Sequence, residues 1–235
     1  MITIVHHVRE RVAMETVFTS HLGLKFHDLW NQATTEQRTD ATKEVVGLFD
    51  EYKTRVTLRG AYVTRAFRAD TDLFLWMYSK DVDVLQDLHF ALRRTRLGRS
   101  THVSWSFVGM THEAEFNPDH IPAFMKNIPP KNYLCFYPYI RTADWYLLPH
   151  EERRDLLREH GEVGKRFPEV LTNGVYHFGL GDYEWLLSFE SDHLDRIVEM
   201  MRSMRATEAR RFTKHEWPFI VGRRYDIREA LEKYV

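Results

Sequence analysis

The order of strands and helices along this chain repeats once, and that repeat limits the possible folds more than any other feature. In residues 18–112, alternating apolar residues predict strands and apolar residues three or four apart predict helices, in the order β-α-β-β-α-β. Residues 131–235 repeat the order at an offset of roughly 110 to 115 residues. This order is the split βαβ unit of ferredoxin-like domains. We therefore predict an α+β fold with two ferredoxin-like halves in one subunit.

The predicted elements divide the chain into four parts. In the first half we predict strands at 20–29, 55–64, 71–79 and 101–110 and helices at 36–52 and 81–94; in the second half, strands at 133–140, 173–179, 183–189 and 217–223, a helix at 149–167 and another beginning after 191. Residues 1–17 form an N-terminal extension to which we assign no function. Residues 113–130 form a connector, and connectors of this length with irregular turn chemistry are often functional.

Charge and cysteine content exclude several classes of protein. The formal net charge is -1, so the positive field that recruits nucleic acid or an anionic membrane is missing. No apolar run approaches the roughly 18 to 20 residues needed to span a bilayer. The single cysteine, Cys135, rules out an intramolecular disulfide and fits a reducing compartment. We expect a cytoplasmic protein that neither binds nucleic acid nor inserts into a membrane.

One histidine in the predicted helix 149–167 has an unusual setting. His160 shares a helix face with Leu156, Leu157 and Val163, so an imidazole projects from an apolar stripe. A histidine of this kind is most often a core residue bonded to a neighbour. Glycines at 161 and 164 cost a helix roughly 0.5 to 1 kcal/mol each relative to alanine. They indicate that a bulky group, such as a planar macrocycle, approaches the helix backbone.

Four motifs carry a resemblance to a known family. They are Tyr137-Pro138-Tyr139-Ile140-Arg141, Asp144-Trp145-Tyr146, Leu157-Arg158-Glu159-His160-Gly161-Glu162-Val163-Gly164-Lys165 and Gly179-Leu180-Gly181-Asp182-Tyr183-Glu184-Trp185. In order and spacing they resemble the chlorite dismutase superfamily, most closely its coproheme decarboxylase branch with an actinobacterial-type distal histidine. The resemblance covers roughly residues 18 to 230 and implies the same duplicated ferredoxin-like fold, the dimeric α+β barrel.

The resemblance also implies a reaction. Members of this branch use hydrogen peroxide to decarboxylate two propionates of iron coproporphyrin III (coproheme), which gives haem b. Their subunits usually form a ring, most often a pentamer. The implied partners are coproheme, hydrogen peroxide and further copies of the chain.

Carried over by position, the resemblance assigns roles to individual residues. His160 would be the axial iron ligand, with Glu208 as the acceptor for its second ring nitrogen. Tyr137 would be the catalytic tyrosine, and His120, seventeen residues before it, would deprotonate peroxide.

Three further side chains would bind the porphyrin. Arg141 lies four residues beyond Tyr137 on the same strand face, where its guanidinium can fork onto a propionate. Trp145 would line the propionate side as well. Trp185 would contact the porphyrin, although packing is an equally good interpretation of that residue.

Departures from the family pattern select among its activities. Chlorite dismutases place a distal arginine about thirteen residues after the proximal histidine, and this chain has no arginine between Arg166 and Arg196. We therefore expect decarboxylation rather than chlorite decomposition. Two alternatives stay open: a haem-binding relative with weak peroxidase or chlorite activity, and a non-enzymatic oligomer that uses the barrel only for its interfaces.

Overall fold

A computed structural model of the chain describes residues 15–117 and 120–235. The first half contains β1 (Phe18–Phe26), α1 (Asp28–Gln32), α2 (Thr35–Tyr52), β2 (Thr57–Val63), β3 (Leu73–Ser79), α3 (Val82–Arg94), α4 (Arg96–Arg99) and β4 (Thr101–Met110). The second contains β5 (Tyr133–Arg141), α5 (Ala143–Leu147), α6 (His150–Gly164), β6 (Leu171–Tyr176), β7 (Trp185–Ser191), α7 (Leu194–Met204), β8 (Thr213–His215), β9 (Ile220–Tyr225) and α8 (Ile227–Glu232). Short 3-10 helices lie at Ala123–Lys126 and Glu208–Phe212.

The strands form one antiparallel sheet that closes on itself. Its order is β7-β6-β4-β1-β3-β2-β9-β5-β8, and β5 also pairs with β7, which closes a ring and leaves β8 beside the end of β5. The first half is ordered β4-β1-β3-β2 and the second β9-β5-β7-β6, so both place their fourth, first, third and second strands in sequence. The halves join where Met110 opposes Tyr176 and where Ala61 opposes Tyr225. The prediction of a duplicated ferredoxin-like α+β fold is confirmed.

The residues that the structure describes pack into three apolar cores. Inside the ring, side chains from both halves form a barrel core that includes Phe74, Trp76 and Phe136. Outside the first half, α2, α3 and α8 cover a first-half helix core. Outside the second half, alternate residues of β5 face α7 in a second-half helix core. Because neighbouring residues of a strand point to opposite faces, β5 contributes to two of these cores at once.

Local sequence explains where the main helices begin. The Thr34 hydroxyl accepts from the Gln37 amide while the Gln37 side chain accepts from the Thr34 amide, a capping box at the start of α2. The first strand was predicted to run to residue 29 but ends at Phe26. There the His27 imidazole accepts from the Leu29 amide and begins α1, because a capping side chain offers the backbone an alternative to the strand ladder.

The two halves are not independent units. Residues 227–234 follow the last strand of the second half, yet Ile227, Leu231 and Tyr234 pack into the first-half helix core. The Trp30 indole donates to the Tyr234 carbonyl at 2.8 Å. The predicted connector, residues 113–130, falls between β4 and β5. The predicted boundaries between the two halves therefore mark a repeat in strand order, not the limits of domains that could fold separately.

The N-terminal extension is only partly described. Residues 1–14 lie outside the described residues, whereas Val17 is buried in the barrel core and its amide donates to the Thr111 hydroxyl at 2.8 Å. Among the residues that the structure describes, no helix has the length and apolar character to cross a membrane.

A buried histidine in the barrel makes stability depend on pH. His21 is 1% exposed and stacks on Trp76 and Phe136 at centroid distances of 5.2 and 4.5 Å. Burial, with a smaller contribution from His177, lowers the pKa of His21 to about 3. Between pH 6.5 and the lowered pKa, His21 therefore binds a proton in the unfolded chain but stays neutral in the folded chain. The free energy of unfolding then falls by about 1.4 kcal/mol per pH unit, down to the folded pKa.

We expect His21→Leu to flatten this dependence. Urea unfolding between pH 7 and pH 4 should show a smaller loss of stability in the variant than in the wild type, because leucine binds no proton in either state. His193→Gln, at an exposed position, serves as the matched control and should follow the wild type. Equal slopes in His21→Leu and wild type would show that His21 is not the group responsible.

Candidate functional site

Three of the predicted site residues, Tyr137, Arg141 and Trp145, lie on the helix-facing side of β5 or directly after that strand. Leu134 and Phe136 point into the barrel core, while Cys135, Tyr137 and Tyr139 point toward α7. The strand ends at Arg141, and α5 follows at once with Trp145. The alternation of a strand thus places the predicted tyrosine and arginine on one face, outside the barrel.

Tyr137 is held in an apolar setting. Its side chain is 5% exposed, and its ring lies 4.5 Å from that of Phe219 between centroids. The hydroxyl lies 3.9 Å from the Met201 sulfur, a weak acceptor. Burial is the main cause that raises the pKa of Tyr137 above its ordinary value. The phenol is therefore protonated at neutral pH and can give up a hydrogen atom or a proton.

Arg141 and Trp145 form a stacked pair at the end of the strand. The guanidinium carbon lies 4.0 Å from the Trp145 ring centroid, and Nη1 donates to the Ala209 carbonyl at 3.2 Å. The Arg141 amide donates to Glu184 Oε2 at 2.8 Å. Since two contacts fix the guanidinium plane, a carboxylate of a ligand would meet an oriented donor.

His160 lies on a helix whose apolar face the protein covers only in part. No residue of α6 is fully buried, although Leu156, Leu157 and Val163 form an apolar stripe and are only half-buried. His160 Nδ1 is shielded from solvent but has no hydrogen-bond partner among the described residues. Burial, followed by the Arg141 charge and His120, lowers the pKa of His160. The imidazole is therefore neutral near pH 7, the form in which it binds a metal.

These features fit a flat iron porphyrin beside α6. An apolar face that is only half-buried and a shielded nitrogen without a partner are what a ligating histidine and its macrocycle require. A Cβ placed on Gly161 would meet nothing within 4 Å, so open space lies beside the helix there. At Gly164 a Cβ would meet the Met204 methyl at 3.2 Å. Gly164 therefore allows close packing of α6 on α7. Of the two glycines, only Gly161 still fits the prediction that a bulky ligand approaches the helix backbone.

His120 lies at a cavity between the connector and β6. The cavity has a volume of about 180 Å³. Its lining consists of His120, Ile121, Ala123, Lys126, Ile128, Val170, Leu171 and Thr172. Desolvation and then the Lys126 ammonium lower the pKa of His120. The charge of His120 also affects His160, so the two imidazoles lie within electrostatic range of each other.

Glu208 makes no hydrogen bond to His160 Nδ1 among the described residues. Glu208 begins the 3-10 helix Glu208–Phe212, and its carboxylate accepts from Arg211 Nε at 2.6 Å. Its amide donates to Glu159 Oε2 at 3.1 Å, which ties this helix to α6. The predicted bond from His160 to Glu208 is therefore not formed in this arrangement, and it stays a prediction for the porphyrin-bound protein.

Trp185 packs within an aromatic group at the start of β7. Its ring meets Tyr176 edge-on at 4.3 Å and Phe178 at 5.6 Å between centroids. Backbone pairing places it opposite Tyr139, on the same side of the sheet as Tyr137. These contacts agree with a packing role for Trp185. A contact between Trp185 and the porphyrin stays a prediction.

Sequence reasoning missed two partners of the site. Glu184 Oε2 accepts from both the Arg141 amide, at 2.8 Å, and the Tyr146 hydroxyl, at 2.7 Å. Met201 supplies the sulfur beside the Tyr137 hydroxyl. Glu184 lies inside the motif that ends at Trp185, and this position could have marked it as a site residue. Met201 gave no signal beyond membership of the apolar stripe of α7.

Comparison with known proteins gives four findings. The family model described as chlorite dismutase matches residues 38–225. The coproheme decarboxylase of Mycolicibacterium smegmatis is 43% identical over 200 residues, which span 84% of this chain and 87% of that protein. The coproheme decarboxylase of Thermus thermophilus is 27% identical over 223 residues, 88% of each chain. A variant of the chlorite dismutase from Candidatus Nitrospira defluvii superposes with a TM-score of 0.85 at 21% identity, covering 93% of this chain and 94% of that one.

Proposed function

The chain belongs to the chlorite dismutase family, and we propose that it acts there as a coproheme decarboxylase. In this proposal it uses hydrogen peroxide to convert iron coproporphyrin III to haem b. The observation that carries the proposal is the likeness, over most of both chains, to a relative of that name. The half-covered face of α6, with its unpartnered His160 nitrogen, supports it because a porphyrin ligand would occupy such a face.

The proposed reaction balances with one peroxide for each propionate. A propionate that becomes a vinyl group loses carbon dioxide and two hydrogens, and those hydrogens reduce one peroxide to two waters. The chemistry that the bound iron porphyrin supplies is oxidation by peroxide. The protein must therefore bind the porphyrin, admit peroxide and carry hydrogen away from a propionate.

We assign those tasks to residues whose surroundings suit them. Tyr137, buried and protonated, would lose its phenolic hydrogen in the oxidation by peroxide, and the neutral phenoxyl radical would then take a hydrogen from a propionate. His160, neutral because its pKa is lowered, would hold the iron. His120, at the mouth of the cavity, would take a proton from peroxide. Arg141, oriented by Trp145 and Ala209, would bind a propionate carboxylate.

Absorption spectra taken during a peroxide titration test the function directly. The purified chain should bind iron coproporphyrin III and show the spectrum of a histidine-ligated iron. Two equivalents of peroxide should then release two of carbon dioxide and yield haem b, with a three-propionate porphyrin on the way. Oxygen evolution from chlorite at a comparable rate would instead favour a chlorite-degrading relative. Absence of porphyrin binding would favour the non-enzymatic oligomer.

Replacing His120 should impair the peroxide step and leave porphyrin binding intact. We expect His120→Ala to lower kcat/KM for peroxide by about 10²- to 10⁴-fold, the range for a positioned general base. Affinity for iron coproporphyrin should change little, since the side chain is exposed and is assigned neither to the iron nor to a propionate. Stopped-flow mixing with peroxide measures the first quantity, and fluorescence quenching on porphyrin addition measures the second.

The pH dependence distinguishes His120 from other bases. Because the pKa of His120 is lowered, the neutral base persists below pH 6.5, and activity should fall only as pH drops through that lowered pKa. Lys126→Met removes a charge that lowers this pKa, so its acid limb should move to higher pH. If the fall of activity at low pH were unchanged in both His120→Ala and Lys126→Met, a group other than His120 would be responsible for it.

We also propose a cytoplasmic ring assembly, with five copies as the number that the family resemblance suggests. Tyr146, Leu147, Phe178 and Leu180 are large apolar side chains left exposed near the site, with Leu147 81% exposed, and exposed groups of this kind favour a protein interface. Sedimentation velocity measures the number of subunits. Cell fractionation tests the location.

A further inference from the structure

A charged network is buried inside the barrel, between the halves and on the side of the sheet opposite to Tyr137. Arg59 on β2, Asn173 on β6 and Glu190 on β7 are 6%, 2% and 0% exposed. Glu190 Oε2 accepts from Arg59 Nε at 3.0 Å, from Arg59 Nη2 at 2.6 Å and from Asn173 Nδ2 at 3.2 Å. Tyr62 lies at the other carboxylate oxygen, 3.4 Å away. One carboxylate therefore holds side chains from both halves.

Stability alone does not account for this network. Apolar residues of similar size often replace a buried ion pair at no loss of stability, because the desolvation of two charges offsets their attraction. The burial that raises the pKa of Glu190 is the mark of that desolvation. The other contacts that Arg59, Glu190 and Asn173 make explain the presence of this buried ion pair better than stability does.

Two members of the network bind the backbone of the connector. Arg59 Nη1 donates to the Ile128 carbonyl at 3.0 Å, and Asn173 Oδ1 accepts from the Phe124 amide at 2.9 Å. The Phe124 amide lies within the 3-10 helix Ala123–Lys126, and the Ile128 carbonyl lies two residues after its end. The turn closes with the Ile128 amide donating to the Ala123 carbonyl at 3.3 Å. The Glu190 carboxylate thus fixes both sides of one turn through two different side chains.

This turn forms one wall of the cavity at which His120 lies. Ala123, Lys126 and Ile128 line the cavity together with His120, which precedes Phe124 by four residues. The Phe124 ring is itself anchored, with its centroid 5.8 Å from Trp76 and 5.0 Å from Tyr78. Movement of the turn would therefore move His120 relative to β6, which forms the opposite wall.

We propose that Arg59, Glu190 and Asn173 form a connector clamp that positions His120 for its reaction with peroxide. They are positioning residues, because each is buried inside the barrel and acts through the connector backbone. The inference rests on the proposed function for the role of His120, but the clamp itself is a statement about the connector. Its test therefore has one part that does not depend on activity.

Hydrogen exchange tests the clamp without any substrate. In Asn173→Ala, the Phe124 amide loses its acceptor, so amides in peptides covering 120–128 should exchange at least about tenfold faster than in wild type. Thr64→Val is the matched control, because it removes a similarly buried side-chain bond, from Thr64 Oγ1 to the Thr71 carbonyl, far from the connector. Unchanged exchange in the connector peptides of Asn173→Ala would overturn the clamp.

A mutant cycle tests whether the clamp acts through His120. We expect Asn173→Ala to lower kcat/KM for peroxide by about tenfold, while affinity for iron coproporphyrin changes less than about twofold. In a His120→Ala background, the same substitution should have less than about a twofold effect. An equal loss in both backgrounds would overturn the positioning of His120, even with faster exchange in the connector.

A second variant protects the test against misfolding. Arg59→Met combined with Glu190→Leu replaces the pair by apolar side chains of similar size and removes the donor to the Ile128 carbonyl. It should fold, exchange faster in the connector and show the same His120-dependent loss. If wild-type protein decarboxylates nothing, the proposed function fails, and the exchange measurements still decide for or against the clamp.

Discussion

Tyr137→Phe is expected to abolish decarboxylation while porphyrin binding persists. The phenol is the group that we assign to hydrogen transfer, and phenylalanine lacks the O–H group that this transfer requires. We expect the rate of haem b formation to fall by at least about a hundredfold, equivalent to about 2.7 kcal/mol of activation free energy. Chromatographic analysis of the porphyrin after addition of peroxide measures the yield.

The structure predicts that this variant folds normally. Among the described residues the Tyr137 hydroxyl makes only the 3.9 Å contact with Met201, so its removal leaves none of them with a strong donor or acceptor unpaired. The ring contact with Phe219 is kept. Tyr133→Phe is the matched control, since Tyr133 lies on the same strand face four residues earlier. Full yield of haem b in Tyr137→Phe would remove the tyrosine from the mechanism.

His160→Ala is expected to remove the iron ligand without unfolding the helix. No residue of α6 is fully buried, and alanine favours a helix more than histidine does. We expect the histidine-ligated spectrum of bound iron coproporphyrin to disappear and affinity to fall by at least about tenfold. Added imidazole should restore part of the spectrum by occupying the space that the side chain leaves.

Two comparisons make the His160 result specific. His150→Ala changes an exposed histidine at the start of the same helix and should keep the wild-type spectrum. His120→Ala should also keep it, because we place His120 at the peroxide side. A spectrum lost in His120→Ala and retained in His160→Ala would exchange the two assignments.

The fold could be predicted to the extent that local periodicity encodes it. The order β-α-β-β-α-β in each half was visible because long strands and helices repeat apolar residues at their own spacing. The short helices α1, α5 and α8 were not visible, since one or two turns carry no measurable period. The closing of both halves into one ring depends on the pairings of Met110 with Tyr176 and of Ala61 with Tyr225, which no local pattern contains.

The same limit applies to the site. Tyr137, Arg141 and Trp145 could be grouped from the motifs that carry the family resemblance, because all three lie close together in sequence, within one strand and the short helix after it. The partners that fix them come from far along the chain: Glu184 is 43 residues from Arg141, and Met201 is 64 residues from Tyr137. The buried pair of Arg59 and Glu190 spans 131 residues. Contacts over such separations become known only when the fold brings the strands together.

The packing of residues 227–234 on the first half has a consequence for how the chain is made. Trp30 and Tyr234 are 204 residues apart and share a hydrogen bond in the first-half helix core. A ribosome releases the first half long before it has made the residues that complete that core. Contacts of such large separation slow folding and leave apolar surface uncovered meanwhile. The first-half helix core can therefore be completed only after α8, the last helix of the chain, has been synthesised.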